Sequence, residues 1–365
     1  MKKSLIAFAA LASIAGAASA QSSVTLYGRI DLAVGKPVGN TAKYMGNGSG
    51  SRFGVRGVED LGGGMSAFFQ LEHRFDADTG AQTNPARFWA GRSIVGLQGG
   101  FGKITLGREY TTAFLGSQLV ADPWGWDTVV SATPGVGLNT LITGGGVVTV
   151  RNDSSLTYNF SAAGFSFGAQ IAEAQDTINN SQKKPVNFFV GYSAGPLTVG
   201  LGHERIGAKF DAAAKWTTVN ASFDLGAVKL GAFYGTGNTA GLHSSVALGA
   251  GDNSAKRKSW LLSAVAPLGQ GEFRASYGKL TSDPGVIAGV AIPSYTAAKG
   301  FALGYHYALS KRTTIYADFV RNTGDFQGLN AEGATTAAAL TTVLTNPALN
   351  PNAKNGYDFG IKHNF

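Results

Sequence analysis

The sequence predicts an all-β fold, a transmembrane antiparallel barrel of sixteen strands that has short turns at one end and long loops at the other. Apolar and polar residues alternate with period two along most of the chain, which is typical of strands with two different faces. Tight turns also alternate with long loops, as in bacterial outer-membrane barrels. Finally, 14% of residues are charged and 44% are hydrophobic, whereas about 25% are charged in ordinary soluble domains.

The N-terminus has the three regions of a secretory signal peptide. Lys2 and Lys3 precede an apolar stretch at 5–17, and Ala18, Ser19 and Ala20 follow it, so we expect cleavage after Ala20. The stretch is too short for the alternative, a membrane anchor, because a bilayer core is ~30 Å thick. We therefore expect residues 1–20 to be removed and residues 21–365 to form a single barrel domain.

The remaining charge excludes one class of partner. Cleavage would lower the formal net charge of +8 by two, and no basic cluster interleaved with aromatic residues follows. The sequence therefore does not indicate nucleic-acid binding.

The strands are recognised by their two faces. In the first predicted strand, the apolar residues Val24, Leu26 and Ile30 lie on one face, and the polar residues Arg29 and Asp31 lie on the other. The same alternation recurs to the C-terminus in segments whose length suits tilted membrane strands. Helical periodicity is weak, and residues 331–344 are the best candidate for a short helix.

The connections set the number of strands. Seven tight turns are expected near 62–64, 99–100, 162–164, 194–195, 225–226, 268–271 and 309–311. Eight long loops are expected near 35–50, 77–85, 110–150, 175–184, 206–214, 237–256, 282–298 and 323–354. Together these connections join sixteen strands.

A soluble β-sandwich or β-solenoid is the alternative fold. It would bury the apolar face, but the opposite face is polar or glycine in nearly every strand. A polar face in a dry core would leave many groups without hydrogen bonds, so the apolar face should meet lipid and the polar face water. A barrel of this size leaves an aqueous lumen.

Several motifs carry a family resemblance. They are SVTLYG at 23–28, SRFGVRGVEDLGGGM at 51–65, AFFQLE at 67–72, GLQGGFGKITLGR at 96–108 and the terminal Phe365. Joined in this order, they resemble the Gram-negative trimeric porins, and most of all the general porins of β-proteobacteria, many of which are anion-selective. The resemblance extends over the whole mature chain.

This resemblance implies a passive outer-membrane channel for small hydrophilic solutes and anions. It also implies a homotrimer with both termini on the periplasmic side, and a third long loop, 110–150, that folds inward and narrows the pore. A loop of this length is uncommon and usually functional. Phe365 resembles the C-terminal signal that the barrel assembly machinery reads.

Five arginines are candidates for the pore wall. Alternation points Arg52, Arg56, Arg74, Arg92 and Arg151 into the lumen, and the resemblance places Arg52, Arg92 and Arg151 on a basic ladder opposite the third loop. Arginine stays charged and can bind anions bidentately. Such a column would concentrate anions without stopping their flow.

Carboxylates on or near the third loop are expected to face this ladder. The candidates are Glu109, Asp122 and Asp127. The alternative for each arginine is a structural ion pair, for which Glu72 is a candidate partner. Arg108 falls in the lipid-facing phase, so we expect it at a strand end, where the membrane tolerates charge.

Basic residues in or beside the long loops could meet lipopolysaccharide phosphates, although the pattern favours simple solvation. They are Lys183, Lys184, Lys256, Arg257 and Lys258.

No catalytic, metal or cofactor site is expected. The chain has no cysteine, its five histidines lack metal-ligand spacing, and nucleophile-elbow and phosphate-loop motifs are absent. An outer-membrane hydrolase is therefore disfavoured, whereas a surface antigen remains compatible with a channel. A solute-specific channel would need an aromatic track, and the aromatic residues in the inward phase are dispersed: Phe68, Phe88, Phe233 and Tyr316.

Overall fold

The computed structural model describes residues 23–131, 137–145, 149–173, 184–206, 214–238, 255–283, 285–287, 290–325 and 352–365. Its strands are β1 (Ser23–Lys36), β2 (Tyr44–Asn47), β3 (Ser51–Gly62), β4 (Met65–Phe75), β5 (Arg92–Gly99), β6 (Gly102–Tyr110), β7 (Arg151–Ala162), β8 (Phe165–Ala172), β9 (Val186–Ala194), β10 (Leu197–Ile206), β11 (Ala214–Asp224), β12 (Lys229–Asn238), β13 (Lys256–Leu268), β14 (Gly271–Asp283), β15 (Gly285–Ile287), β16 (Val290–Ile292), β17 (Tyr295–Ala308), β18 (Thr313–Asn322) and β19 (Asn355–Asn364).

Sixteen of these strands form one closed antiparallel barrel, as the alternation predicts. The short strands β2, β15 and β16 belong to the long connections. All seven tight turns occur where the sequence predicts them, at the ends of β3, β5, β7, β9, β11, β13 and β17. The predicted helix at 331–344 and the signal peptide at 1–20 lie outside the described residues.

The first and last strands close the barrel. Residues 29–36 of β1 pair with β19, and residues 23–29 pair with β3. Directly after the end of β19, Phe365 and Gly28 of β1 exchange two backbone hydrogen bonds of 2.9 and 3.0 Å. The terminal Phe365 is thus part of the seam that makes the sheet continuous.

The outer surface is apolar in the phase that the sequence predicts. Large hydrophobic side chains such as Val24, Leu26, Val95, Leu106 and Leu262 are exposed on the isolated chain. Sheet closure satisfies the backbone of these strands without water, which is what lipid contact requires.

The connection between β6 and β7 contains short helices: a π-helix (Phe114–Gln118), α1 (Leu119–Ala121), α2 (Thr128–Ser131) and α3 (Leu138–Gly144). None of the helices in the described ranges is long and apolar enough to cross a membrane.

This connection, the third loop, lies inside the barrel. Trp124 Nε1 donates to Asp318 on β18 at 2.7 Å, and the backbone N–H of Val129 donates to Asp358 on β19 at 2.7 Å. Farther around the wall, Trp216 Nε1 on β11 donates to the carbonyl of Thr143 at 3.0 Å. A segment that bonds to strands so far apart in the sheet must cross the lumen.

An apolar cluster fixes the loop on one side of the lumen. The buried loop residues Val130, Leu138 and Ile142 pack against inward-facing wall residues such as Trp216 and Leu261. Close packing of buried side chains restricts the motion of a loop. The loop is therefore held against this part of the wall.

Strict alternation fails at a bulge between β6 and β7. Gly107 pairs with Ser155 and Glu109 with Asn152, so Arg108 faces both Asp153 and Ser154. Arg108 lies at the strand end, as expected, and its guanidinium is paired with Asp153. The counter-charge explains how this arginine is accommodated in the outward phase.

Two predicted orientations are wrong. Phe88 does not point inward: it is half exposed and stacks on His73 with ring centroids 4.2 Å apart, because it precedes β5 and alternation does not extend to it. Arg257 lies beside an outer loop, as predicted, but its side chain does not point into solvent or toward lipopolysaccharide. It is buried on β13 and donates to the carbonyl of Gly145, which ties the loop to the wall.

Candidate pore constriction

Three arginines form a row across neighbouring strands. Arg29 on β1 is directly opposite Arg52 on β3, and Arg52 is directly opposite Arg74 on β4. Like charges in opposite positions destabilise a sheet, so the row is a cost in folding free energy that calls for a functional explanation.

Two more arginines extend the row toward the base of the third loop. Arg92 on β5 and Arg151 on β7 approach the ring of Tyr110, with guanidinium carbons 4.8 and 4.0 Å from its centroid. The hydroxyl of Tyr110 accepts hydrogen bonds from Arg74 and Arg151. Tyr110 thus holds three guanidinium groups in a fixed arrangement.

The arginines differ in their counter-charges. Arg29 pairs with Asp127 at 3.2 Å, Arg74 with Glu72 at 2.7 Å and Arg92 with Glu109 at 2.8 Å. Within the described part of the chain, Arg52 and Arg151 make no ion pair. The uncompensated positive charge of the row therefore resides on these two residues.

A cavity of about 490 Å³ separates the arginines from the loop. We call it the arginine cavity. Arg29, Arg52, Arg74, Arg92 and Arg151 line its wall side together with Tyr110 at the end of β6, and its loop side is lined mainly by Phe114, Leu115, Leu119, Trp126 and Asp127.

The predicted acids lie in three different environments. Asp127 faces the arginine cavity, as expected, and pairs with Arg29. Glu109 does not belong to the loop side: it is on β6 and pairs with Arg92 on the same wall. The predicted position of Asp122 is also wrong, because its carboxylate is buried inside the loop.

Asp122 organises the loop instead of facing solute. Its two oxygens accept from the backbone N–H groups of Trp124 and Trp126 at 3.0 and 2.9 Å. They also accept from Ser131 Oγ at 2.6 Å and Asn139 Nδ2 at 2.7 Å. Burial raises the pKa of Asp122, and these four donors oppose that rise.

Asp127 is the one carboxyl group among the described loop residues that line the cavity. Burial inside the barrel raises the pKa of this carboxyl to about 6, although Arg29, Lys362 and Arg52 act in the opposite direction. Its charge, and with it the compensation of Arg29, therefore changes close to neutral pH.

Two further arginines of the barrel wall, Arg56 and Arg29, differ in their relation to the cavity. Arg56 projects from β3 over the ring of Tyr27, 5.3 Å from its centroid, and is not part of the cavity lining. Arg29, which we did not select, is part of that lining. The sequence does contain a signal for this position, because Arg29 and Asp31 share the polar face of the first strand.

The lumen contains a cavity with fixed charges, with arginines on its wall side and the third loop on the other, and such a cavity can conduct charged solutes. Fold and constriction together thus define a passive channel built as a transmembrane β-barrel.

Similarity to known proteins supports the assignment to this class of channel. Residues 7–327 match the model of the Gram-negative porin family, and the chain belongs to this family. An outer membrane porin protein of Bordetella pertussis is 32% identical over 87% of this chain and 93% of its own length. Outer membrane porin protein 32 of Delftia acidovorans is 33% identical over 100% of both chains. The chain is accordingly an outer-membrane channel and not an enzyme.

Solved structures show the same fold. The anion-selective porin from Comamonas acidovorans matches 94% of this chain and 100% of its own, with 26% identity and a TM-score of 0.66. OmpF of Salmonella typhi matches 94% of this chain and 97% of its own, with 17% identity and a TM-score of 0.63.

Proposed function

We propose that this porin is an anion-preferring channel for small hydrophilic solutes and that the arginine cavity is its selectivity constriction. The observation that carries the proposal is the charge balance of the cavity: five arginines line it, carboxylates pair with three of them, and Arg52 and Arg151 have no ion-pair partner among the described residues. The solved relative from Comamonas acidovorans is itself described as anion-selective.

The mechanism is electrostatic. Fixed positive charges beside a narrow passage with low-dielectric walls attract anions and repel cations. Because the guanidinium groups are spread over five strands, an anion can pass from one to the next without a single tight site. Asp127 and Glu109 limit the field by compensating Arg29 and Arg92.

Reversal potentials in a planar bilayer under a KCl gradient test this proposal. We expect anion preference in the parent protein and a smaller preference in Arg52→Ala and Arg151→Ala. The loss should be at least as large in Arg92→Ala, because Glu109 loses its counter-charge. Lys311→Ala, at an exposed short turn, is the matched control and should be unchanged.

Two results would contradict the proposal. Cation preference in the parent would rule out an anion channel. An unchanged reversal potential in all three arginine variants would show that the constriction lies elsewhere.

We further propose the export and assembly that the family resemblance implies: removal of residues 1–20, recognition of Phe365 by the barrel assembly machinery, and a homotrimer in contact with lipopolysaccharide. Two measurements address these points. The mass of the mature protein reports the cleavage site, and sedimentation in detergent reports the number of subunits.

A further inference from the structure

The loop side of the arginine cavity is mostly apolar. Leu115, Leu119 and Trp126 are partly exposed and line it. Asp127 is the one carboxylate on the described loop side, and it is already paired with Arg29. A solute in this cavity therefore meets guanidinium groups on one side and hydrocarbon on the other.

Trp126 is held in this position against its backbone preference. Its φ of 62° lies in the left-handed region, where a bulky residue is a rare outlier. Asp122 accepts from its backbone N–H at 2.9 Å, and its indole Nε1 donates to Thr143 Oγ1 at 2.9 Å. Strain of this kind is characteristic of functional sites.

A neighbouring aromatic residue supports the indole. Phe114 is buried and lies edge-on to Trp126, with ring centroids 4.8 Å apart, and it stacks on Tyr110 at 5.7 Å. The three rings form a continuous aromatic support beside the arginine row. The dispersed residues Phe68, Phe233 and Tyr316 are not part of this lining.

We propose that the arginine cavity favours organic monoanions that carry a flat apolar group, such as arene carboxylates, over small hydrophilic anions of the same charge. The carboxylate would interact with Arg52 and Arg151, and the ring would lie against Trp126 and Leu119. This inference rests on the proposed anion channel and names its preferred solute class.

The chemistry of both sides supports this choice. Guanidinium groups bind carboxylates bidentately, and burial of an apolar group against indole and leucine adds a favourable contribution that acetate or chloride does not gain. The cavity volume of about 490 Å³ lies within the range of small-molecule sites, roughly 300–1,000 Å³.

The test is the block of chloride current through the intact porin in a planar bilayer. We expect benzoate to halve the current at a concentration about fivefold lower than acetate does, the factor expected from one additional aromatic contact. In Trp126→Asn, which keeps a residue tolerant of positive φ, and in Leu119→Ser, this ratio should fall toward one.

Val120→Ser is the matched control, because Val120 follows Leu119 in the chain but does not line the arginine cavity. The ratio of its acetate and benzoate blocking concentrations should equal that of the parent. Equal blocking concentrations for benzoate and acetate in the parent would overturn the inference, as would an unchanged ratio in both cavity variants. The KCl reversal potential, measured in the same bilayers, reports separately on the proposed anion preference.

Discussion

At the residue scale, neighbouring groups determine which charges of the constriction remain effective. Arg74 and Arg92 have carboxylates at 2.7 and 2.8 Å, whereas Arg52 and Arg151 face the cavity without an ion pair in the described structure. The carboxylate of Asp127 compensates the positive charge of Arg29, and this compensation depends on pH. The selectivity of the channel should therefore be adjustable through one side chain.

The first prediction concerns pH. Because burial raises the pKa of Asp127 to about 6, its neutral form should dominate at pH 5, where about nine in ten groups are protonated. Protonation removes one negative charge beside Arg29, so anion preference should increase as the pH falls from 7 to 5. Reversal potentials in a KCl gradient measure this change.

The control for this prediction separates Asp127 from other acids. Asp127→Asn should show high anion preference that no longer changes between pH 7 and pH 5. Glu59→Gln, at an exposed position near a short turn, should keep the pH dependence of the parent. A parent protein without any change over this interval would rule out Asp127 as the titrating group.

At the element scale, the third loop acts as a packed part of the molecule. Its buried apolar residues fix it to the wall, and the carboxylate of Asp122 links two inner segments of the loop by accepting from Trp126 and Asn139. The position of Trp126 therefore depends on a residue that does not face the pore.

The second prediction is that Asp122→Ala loosens this loop without unfolding the barrel. Each buried donor left without a partner costs about 1–3 kcal/mol, and four donors lose their acceptor. We expect higher open-channel noise and higher single-channel conductance, because the loop would no longer hold the constriction at one width. Single-channel recording measures both quantities.

The comparison variant is Asp224→Ala, which removes an exposed acceptor of the Gly226 N–H at a short turn. Its noise and conductance should match those of the parent. If Asp122→Ala also matched the parent, the apolar contacts of the loop and its hydrogen bonds to the wall would hold it without Asp122.

At the scale of the whole molecule, the barrel depends on one seam. Phe365 lies against Gly28, and a Cβ at position 28 would collide with the Phe365 ring and come within 2.7 Å of the carbonyl oxygen of Arg52. Glycine at this position leaves room for the terminal ring beside the strand pair that closes the sheet.

The third prediction tests this seam. Gly28→Ala should reduce the fraction of heat-modifiable, folded barrel, because overpacking at a closed contact typically costs about 1–3 kcal/mol. Electrophoresis of unheated and heated samples gives the folded fraction. Gly100→Ala is the control, since a Cβ there would meet nothing within 4 Å; equal folded fractions for the two variants would show that the contact is dispensable.

The sequence by itself determined the barrel, its strand number, its turns and the two faces of its wall. Strand side chains alternate with period two, and lipid and water impose opposite requirements on the two faces. That rule also placed Arg52, Arg74 and Arg92 toward the lumen. It does not extend to loops, which is why the predictions for Asp122 and Phe88 were wrong.

Only the tertiary structure decided which charges meet. The register across β1, β3 and β4 brings Arg29 into the arginine row, the wall position of Glu109 makes it the partner of Arg92, and loop packing buries Asp122 while Trp126 faces the cavity. These contacts join residues far apart in the chain. No periodic pattern encodes them, because they depend on how the sheet closes and where the third loop packs within it.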